Sequence, residues 1–213
     1  RQRIDNQPYG TILQETMIRL FKEHPYKWPI IGYMEHLNAA EEADYKNFYK
    51  DFYVPNNAVL SIAGDLDIDQ TKVWVEKYFG SIPKGTKEIY RPDVVEPPMT
   101  GEIRDTIFDN IQLPAIIQAY RIPAQGTEEF YAVDMLSTLL SRGGSSRLQK
   151  AIVEDQQKAI QVGSFPLALE DYSVSLAFAF CNMGIDPSDV EKSIDAEVER
   201  VKNELISDEE FQK

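Results

Sequence analysis

The 213 residues include one cysteine and two histidines, and each scarcity removes a class of chemistry. A lone Cys181 makes neither an internal disulfide nor a multi-cysteine metal site. His24 and His36 stand twelve positions apart. A zinc helix needs its paired histidines on adjacent turns, four apart, so neither His-Glu-x-x-His nor its inversion is present. Basic side chains are also in short supply: 22 Lys and Arg against 35 Asp and Glu, a formal net charge of −13. An acidic chain is repelled by phosphate backbones and anionic lipid, which excludes nucleic acid and membrane surfaces as expected partners. No apolar run reaches the ~20 residues of a membrane span, and no signal-peptide pattern occurs. The chain opens on Arg1 rather than Met, with no helix start signal before it, and reads as a piece of something longer.

What remains is ample for a core. At 43% hydrophobic residues the chain is not a disordered one, and its length suits one large domain or two small ones. Prolines cluster at Pro83, Pro92, Pro97 and Pro98 among polar residues, the signature of an extended connector. The expected division is therefore a first unit over 1–83, a linker over 84–100 and a second unit over 101–213. The charge divides there too, with a net of −3 over 1–97 and −10 over 98–213.

Periodicity predicts α+β units of two layers, mainly antiparallel sheet covered by helices. In the first unit a helix holds Ile12, Met17, Leu20 and Phe21 and stops before His24-Pro25. Asn38-Ala-Ala-Glu41 resembles a capping box opening a helix through Phe52. Ala58–Ala63 is a short apolar run expected as a buried strand, and Asp67 caps a helix ending near Gly80. In the second unit, 102–109 and 113–122 suit paired strands, and a helix follows over 128–140. Ser145 is a candidate N-cap for a short helix through Ile152. Strands are expected at 159–165 and 172–182, then a long helix from Pro187 carrying Val190, Ile194, Val198, Val201 and Leu205.

Local chemistry is sparse. Asp65-x-Asp67-x-Asp69 with Glu76 imitates a calcium loop, but the sharp-turn position is Gln70 where glycine is needed. Gly143-Gly-Ser-Ser-Arg147 can expose backbone N–H groups to an anion, yet lacks a phosphate-loop lysine and reads as a helix–helix corner. His24 and His36 read as hydrogen-bonding loop residues, and Cys181 as a small buried hydrophobe. The acidic pairs Glu41-Glu42, Glu154-Asp155 and Glu209-Glu210 read as solvated helix faces.

Several strings together resemble the pitrilysin/insulysin (insulinase) family of zinc metallopeptidases, whose active members carry an inverted His-x-x-Glu-His. They are His24-Pro-Tyr-Lys-Trp-Pro-Ile-Ile-Gly32, Phe48-Tyr-Lys-Asp-Phe-Tyr-Val-Pro-Asn-Asn-Ala58, Ile62-Ala-Gly-Asp65, Glu76-Lys-Tyr-Phe-Gly-Ser-Ile-Pro83 and Gly143-Gly-Ser-Ser-Arg-Leu148. The match runs in order over nearly the whole chain.

This resemblance implies a LuxS/pitrilysin-like metallopeptidase fold and a bacterial zinc protease, periplasmic or cytoplasmic, as parent. It places the chain downstream of every metal ligand: the tail of a first peptidase-like unit, then a second, non-catalytic unit that stops short of a full one. Aligning the second unit's helix on Gly143 sets Asp134, Ser137 and Thr138 at the His, Glu and His positions. The family's substrate-assisting Arg and Tyr fall on Val153 and Ile160. The fragment is thus expected to hold no catalytic residue, metal or cofactor. Zinc belongs to the parent or a partner subunit, where two histidines bind it and a glutamate activates its water. The implied role is a wall of the closed chamber in which peptide substrate is hydrolysed. The implied partners are the remainder of its own chain or a homologous subunit. The alternative is a zinc-less structural or partner subunit of a peptidase-like heterodimer. A separate enzyme working through local carboxylates is a further rival, and it requires a cleft where two acids meet with displaced titration.

Overall fold

The computed structural model describes residues 2–212. In chain order the elements are α1 (Gln2–Asp5), α2 (Ile12–Leu20), α3 (Met34–Ala39), α4 (Glu42–Phe52), α5 (Ile68–Phe79), β1 (Ala115–Ile122) and α6 (Glu128–Ser141). A π-helical stretch (Gln149–Asp155) follows, then β2 (Ala159–Leu167), β3 (Ser173–Cys181), α7 (Pro187–Asn203) and α8 (Asp208–Phe211). The fold is α+β, with one antiparallel three-stranded sheet. Among the described residues no helix is long and apolar enough to cross a membrane.

Two compact units emerge: Glu23–Pro97, and a second built from Gln2–Lys22 together with the described chain from Pro98 onwards. The leading segment therefore groups with the second unit, whereas its sequence position suggests the first. Most of the proline-rich stretch, up to Pro97, groups with the first unit.

In the second unit the strand order is β1-β3-β2, with Ile116 and Val162 flanking Ala179. Side chains alternate across a strand, so Ala177, Ala179 and Cys181 share one face. That face packs on Leu140 of α6, Leu148, Ile152 of the π-helical stretch, and Val190 and Ile194 of α7. Each fully buried aliphatic side chain there stabilises by about 1.5–3 kcal/mol. Helix α7 starts where the Asp186 carboxylate accepts the Ser188 N–H at 2.9 Å. It stops after Asn203, so Leu205, expected on its apolar stripe, is fully exposed instead.

The other face of the sheet carries Val174 and Leu176, both buried, and Phe178 and Phe180. Tyr9 lies against Phe180, ring centroids 4.6 Å apart, and its hydroxyl donates to the Leu113 carbonyl at 2.6 Å. Arg19 of α2 bridges Glu15 and Asp105, and Phe21, almost fully buried, meets the Tyr172 ring. The ties to Asp105, Leu113, Tyr172 and Phe180 join positions 86 to 171 residues apart, a range over which local sequence pattern carries no signal.

Gly163 on β2 faces Phe178 so closely that a Cβ there would sit 2.6 Å from the ring. Gly163→Ala is expected to displace the ring and cost about 1–3 kcal/mol, read as a lowered urea midpoint at unchanged slope. An unchanged midpoint would mean that the ring gives way freely.

Several expected local features differ. The short helix expected from a Ser145 cap takes π geometry over Gln149–Asp155, entered from Leu148. Residues 102–109 form no strand beside β1; Arg104 instead bridges Glu102 and Glu191. In the first unit Asn38 lies inside α3, and the capping box is Glu41 with Asp44, each carboxylate accepting the other's N–H. Asp67 caps α5 by accepting the Gln70 N–H at 2.8 Å. Ala58–Ala63 pairs with nothing in a ladder and is exposed, because a strand exists only beside a neighbour that accepts its hydrogen bonds.

Candidate functional site

Helix α6 carries Asp134, Ser137 and Thr138, the residues that the sequence resemblance sets against the metal motif. It opens on Thr127, whose hydroxyl accepts the Phe130 N–H at 3.2 Å, and buries Phe130, Ser137 and Leu140. Asp134 and Thr138 sit on its exposed side, one turn apart, while Ser137 is buried. The Ser137 hydroxyl accepts from Ser164 of β2 at 3.3 Å, and Ser141 donates to the Ser164 carbonyl at 2.6 Å. The Ser137 side chain is thus turned into helix–strand packing.

A zinc ion needs three protein donors of the imidazole, thiolate or carboxylate kind. Asp134 offers one carboxylate, Thr138 a neutral hydroxyl, and Ser137 a hydroxyl already engaged, so this set does not fit the metal. Among the described residues no group of three or more His, Cys, Asp and Glu is arranged to hold an ion. Val153 is half-buried against the core from the π-helical stretch, and Ile160 is exposed on β2. Neither has a polar atom in its side chain to orient a peptide.

The glycine-rich corner is better defined. Gly143 has φ of +85°, a conformation that glycine adopts without strain, and the turn brings Ser146 and Arg147 inside. Arg147 is about nine-tenths buried and makes a two-pronged pair with Glu210: Nε to Oε1 at 2.7 Å and Nη2 to Oε2 at 3.0 Å. Glu210 also accepts the Ser207 N–H and hydroxyl in a capping box. The Arg147 guanidinium, first, and the Ser207 N–H hold the Glu210 carboxyl down at about 2. The reading of Glu209-Glu210 as a solvated face thus fails for Glu210. A single residue in an acidic helix gives no sign that an arginine 63 positions away will reach it.

The remaining candidates are structural. His24 is buried; its Nδ1 accepts the Tyr26 N–H at 3.3 Å, and its own backbone N–H donates to the buried Glu96 carboxylate at 2.7 Å. Glu96 also accepts from the Glu23 N–H. This buried carboxylate escapes sequence reading, because its partners are backbone groups more than seventy positions upstream. His36 is exposed beside Glu35. In the calcium-like loop Asp67 is spent on its cap and Asp69 pairs with Lys72. Burial pushes the Cys181 thiol up and keeps it inert. Asp105, Asp186, Glu191 and Glu210 are displaced downwards, each beside an arginine or an N–H donor.

Comparison with known proteins places this geometry. Residues 40–213 match the family model described as the peptidase M16 inactive domain. The zinc protease PqqE of Helicobacter pylori is 31% identical over 215 residues, covering all of this chain and 48% of that protein. An uncharacterised zinc protease of Mycobacterium leprae is 28% identical over 187 residues, 84% of this chain and 41% of that one. Among solved structures, a protease from Helicobacter pylori superposes with a TM-score of 0.89 at 30% identity, covering all of this chain and 52% of that one. The peptidase M16 inactive domain from Pseudomonas fluorescens shares the fold, with a TM-score of 0.79 at 18% identity over 99% of this chain and 50% of that one. The chain spans about half the length of the curated relatives it matches. It belongs to the M16 peptidase family, as that family's inactive domain.

Proposed function

We propose that this chain is the non-catalytic portion of a zinc peptidase and forms part of the wall that encloses peptide substrate. The zinc and the activated water belong to the rest of the full-length protein or to a partner subunit. The observation that carries this reading is the state of α6, where Asp134, Ser137 and Thr138 occupy the aligned metal positions without a fitting donor set. With Ser137 facing Ser164 and Asp134 and Thr138 exposed, α6 offers no fitting ligand set, and its remaining work is packing and surface. Val153 and Ile160 give the same answer for substrate assistance.

The test is metal analysis and peptide cleavage on residues 1–213 beside the full-length protein. Residues 1–213 are expected to hold no stoichiometric zinc and to cleave no peptide, while the full-length protein does both. Tightly bound zinc on residues 1–213 would overturn the reading. A full-length protein without zinc would move it to the zinc-less partner subunit.

A further inference from the structure

Between Pro25 and Glu129, Glu96 is the one buried residue among those described, and its neighbours Val95 and Pro97 are exposed. Burying a single carboxylate in so exposed a stretch is unfavourable unless donors meet it. They do. One oxygen, Oε2, accepts the backbone N–H of Glu23 at 2.9 Å and that of His24 at 2.7 Å. Hydrogen bonds to an ionised acceptor are about twice as strong as neutral ones, and here two converge on the same atom.

These bonds sit at the neck of the first unit. The chain enters that unit at Glu23 and leaves it at Pro97. The Glu96 carboxylate therefore ties the unit's two ends together, across 73 and 72 positions. The local sequence prepares both sides. His24 precedes Pro25 and Glu96 precedes Pro97, and the residue before a proline is biased to extended backbone. His24 has φ of −65° and ψ of 141° accordingly. Upstream, the connector has a second anchorage: Asn56 accepts the Gly85 N–H at 2.8 Å, and Lys87 pairs with Asp51. Residues 88–95, between the two anchorages, lie in no helix or strand and include the exposed Tyr90.

We infer that Glu96 is a buckle: it closes the first unit at its neck and holds residues 88–95 as a strap that opens when the carboxylate lets go. Opening frees the chain from Glu88 to Pro97 and unties the ends of the unit, while β3 and its core stay folded. Loop-closure entropy favours separation of the ends, so the bonds at the neck are what oppose it. The inference does not depend on where zinc lies.

Glu96→Ala in the full-length protein is the test, read by amide hydrogen exchange and by brief chymotrypsin digestion. The Glu23 and His24 amides are expected to exchange at least about 10-fold faster than in wild type once their acceptor is gone. Cleavage after Tyr90 is expected to speed up by about 10-fold as well, while protection across Ser173–Cys181 holds. Glu96→Gln keeps an oxygen acceptor without the charge and should fall between the two. Unchanged exchange at Glu23 and His24, or unchanged cleavage after Tyr90, would overturn the inference. Loss of β3 protection in both variants would also overturn it, because the carboxylate would then support far more than one strap. If only Glu96→Ala loses that protection, Glu96→Gln decides on the same two readouts.

Discussion

Phe21→Ala is expected to destabilise the second unit by about 3–5 kcal/mol, the usual cost of emptying a buried phenylalanine site. Phe21 is 1% exposed and lies beside Tyr172, which directly precedes β3. Its loss opens a cavity next to the buried Ser173 and Val174. The readout separates the two units, because both tryptophans, Trp28 and Trp74, fall within Glu23–Pro97. Amide protection across Ser173–Cys181 should drop while tryptophan emission stays unchanged. A shift in emission with β3 untouched would return the leading segment to the first unit, where its sequence position suggested it belonged.

Glu210→Ala ranks second, at about 2 kcal/mol. Exposed ion pairs contribute about 0–1 kcal/mol, and breaking a buried one costs about 3–5. Here Arg147 is buried but the Glu210 side chain is 28% exposed, so the cost lies between. Most of it comes from stranding a guanidinium that already has Nη1 without a partner among the described residues. The pH dependence has a definite sign. The folded carboxyl titrates at about 2 against an ordinary 4.5, so the folded state binds this proton more weakly than the unfolded one. The contribution is therefore complete above about 4.5 and drains as pH falls from there through about 2. Urea unfolding of wild type and Glu210→Gln should differ most near neutrality and converge towards pH 2. A difference independent of pH would show that shape, not charge, carries the pair.

Much of the second unit was legible from pattern. The spacing of Val190, Ile194, Val198 and Val201 implied α7, and the alternation of Val174, Leu176, Phe178 and Phe180 implied β3. Asp67 announced the start of α5 because a cap is a contact between near neighbours. Failures occurred where the deciding partner is distant. Ala58–Ala63 and 102–109 have strand-like composition, yet a ladder depends on a second segment that composition does not supply. Glu210 looked like any acid on a helix until Arg147 was placed beside it.

For the candidate site, the sequence by itself determined the donor inventory: Asp134, Ser137 and Thr138 cannot become a histidine-paired zinc helix in any fold. Tertiary structure alone decided how those residues are used, turning Ser137 inward to Ser164 and leaving Asp134 and Thr138 outside. It alone joined Gln2–Lys22 to the second unit and buried Arg147 against Glu210. The physical reason is range. Side-chain chemistry, helix periodicity and caps act within a few residues, so a linear chain displays them. Burial, pairing and the titration they shift arise between segments that meet only after folding.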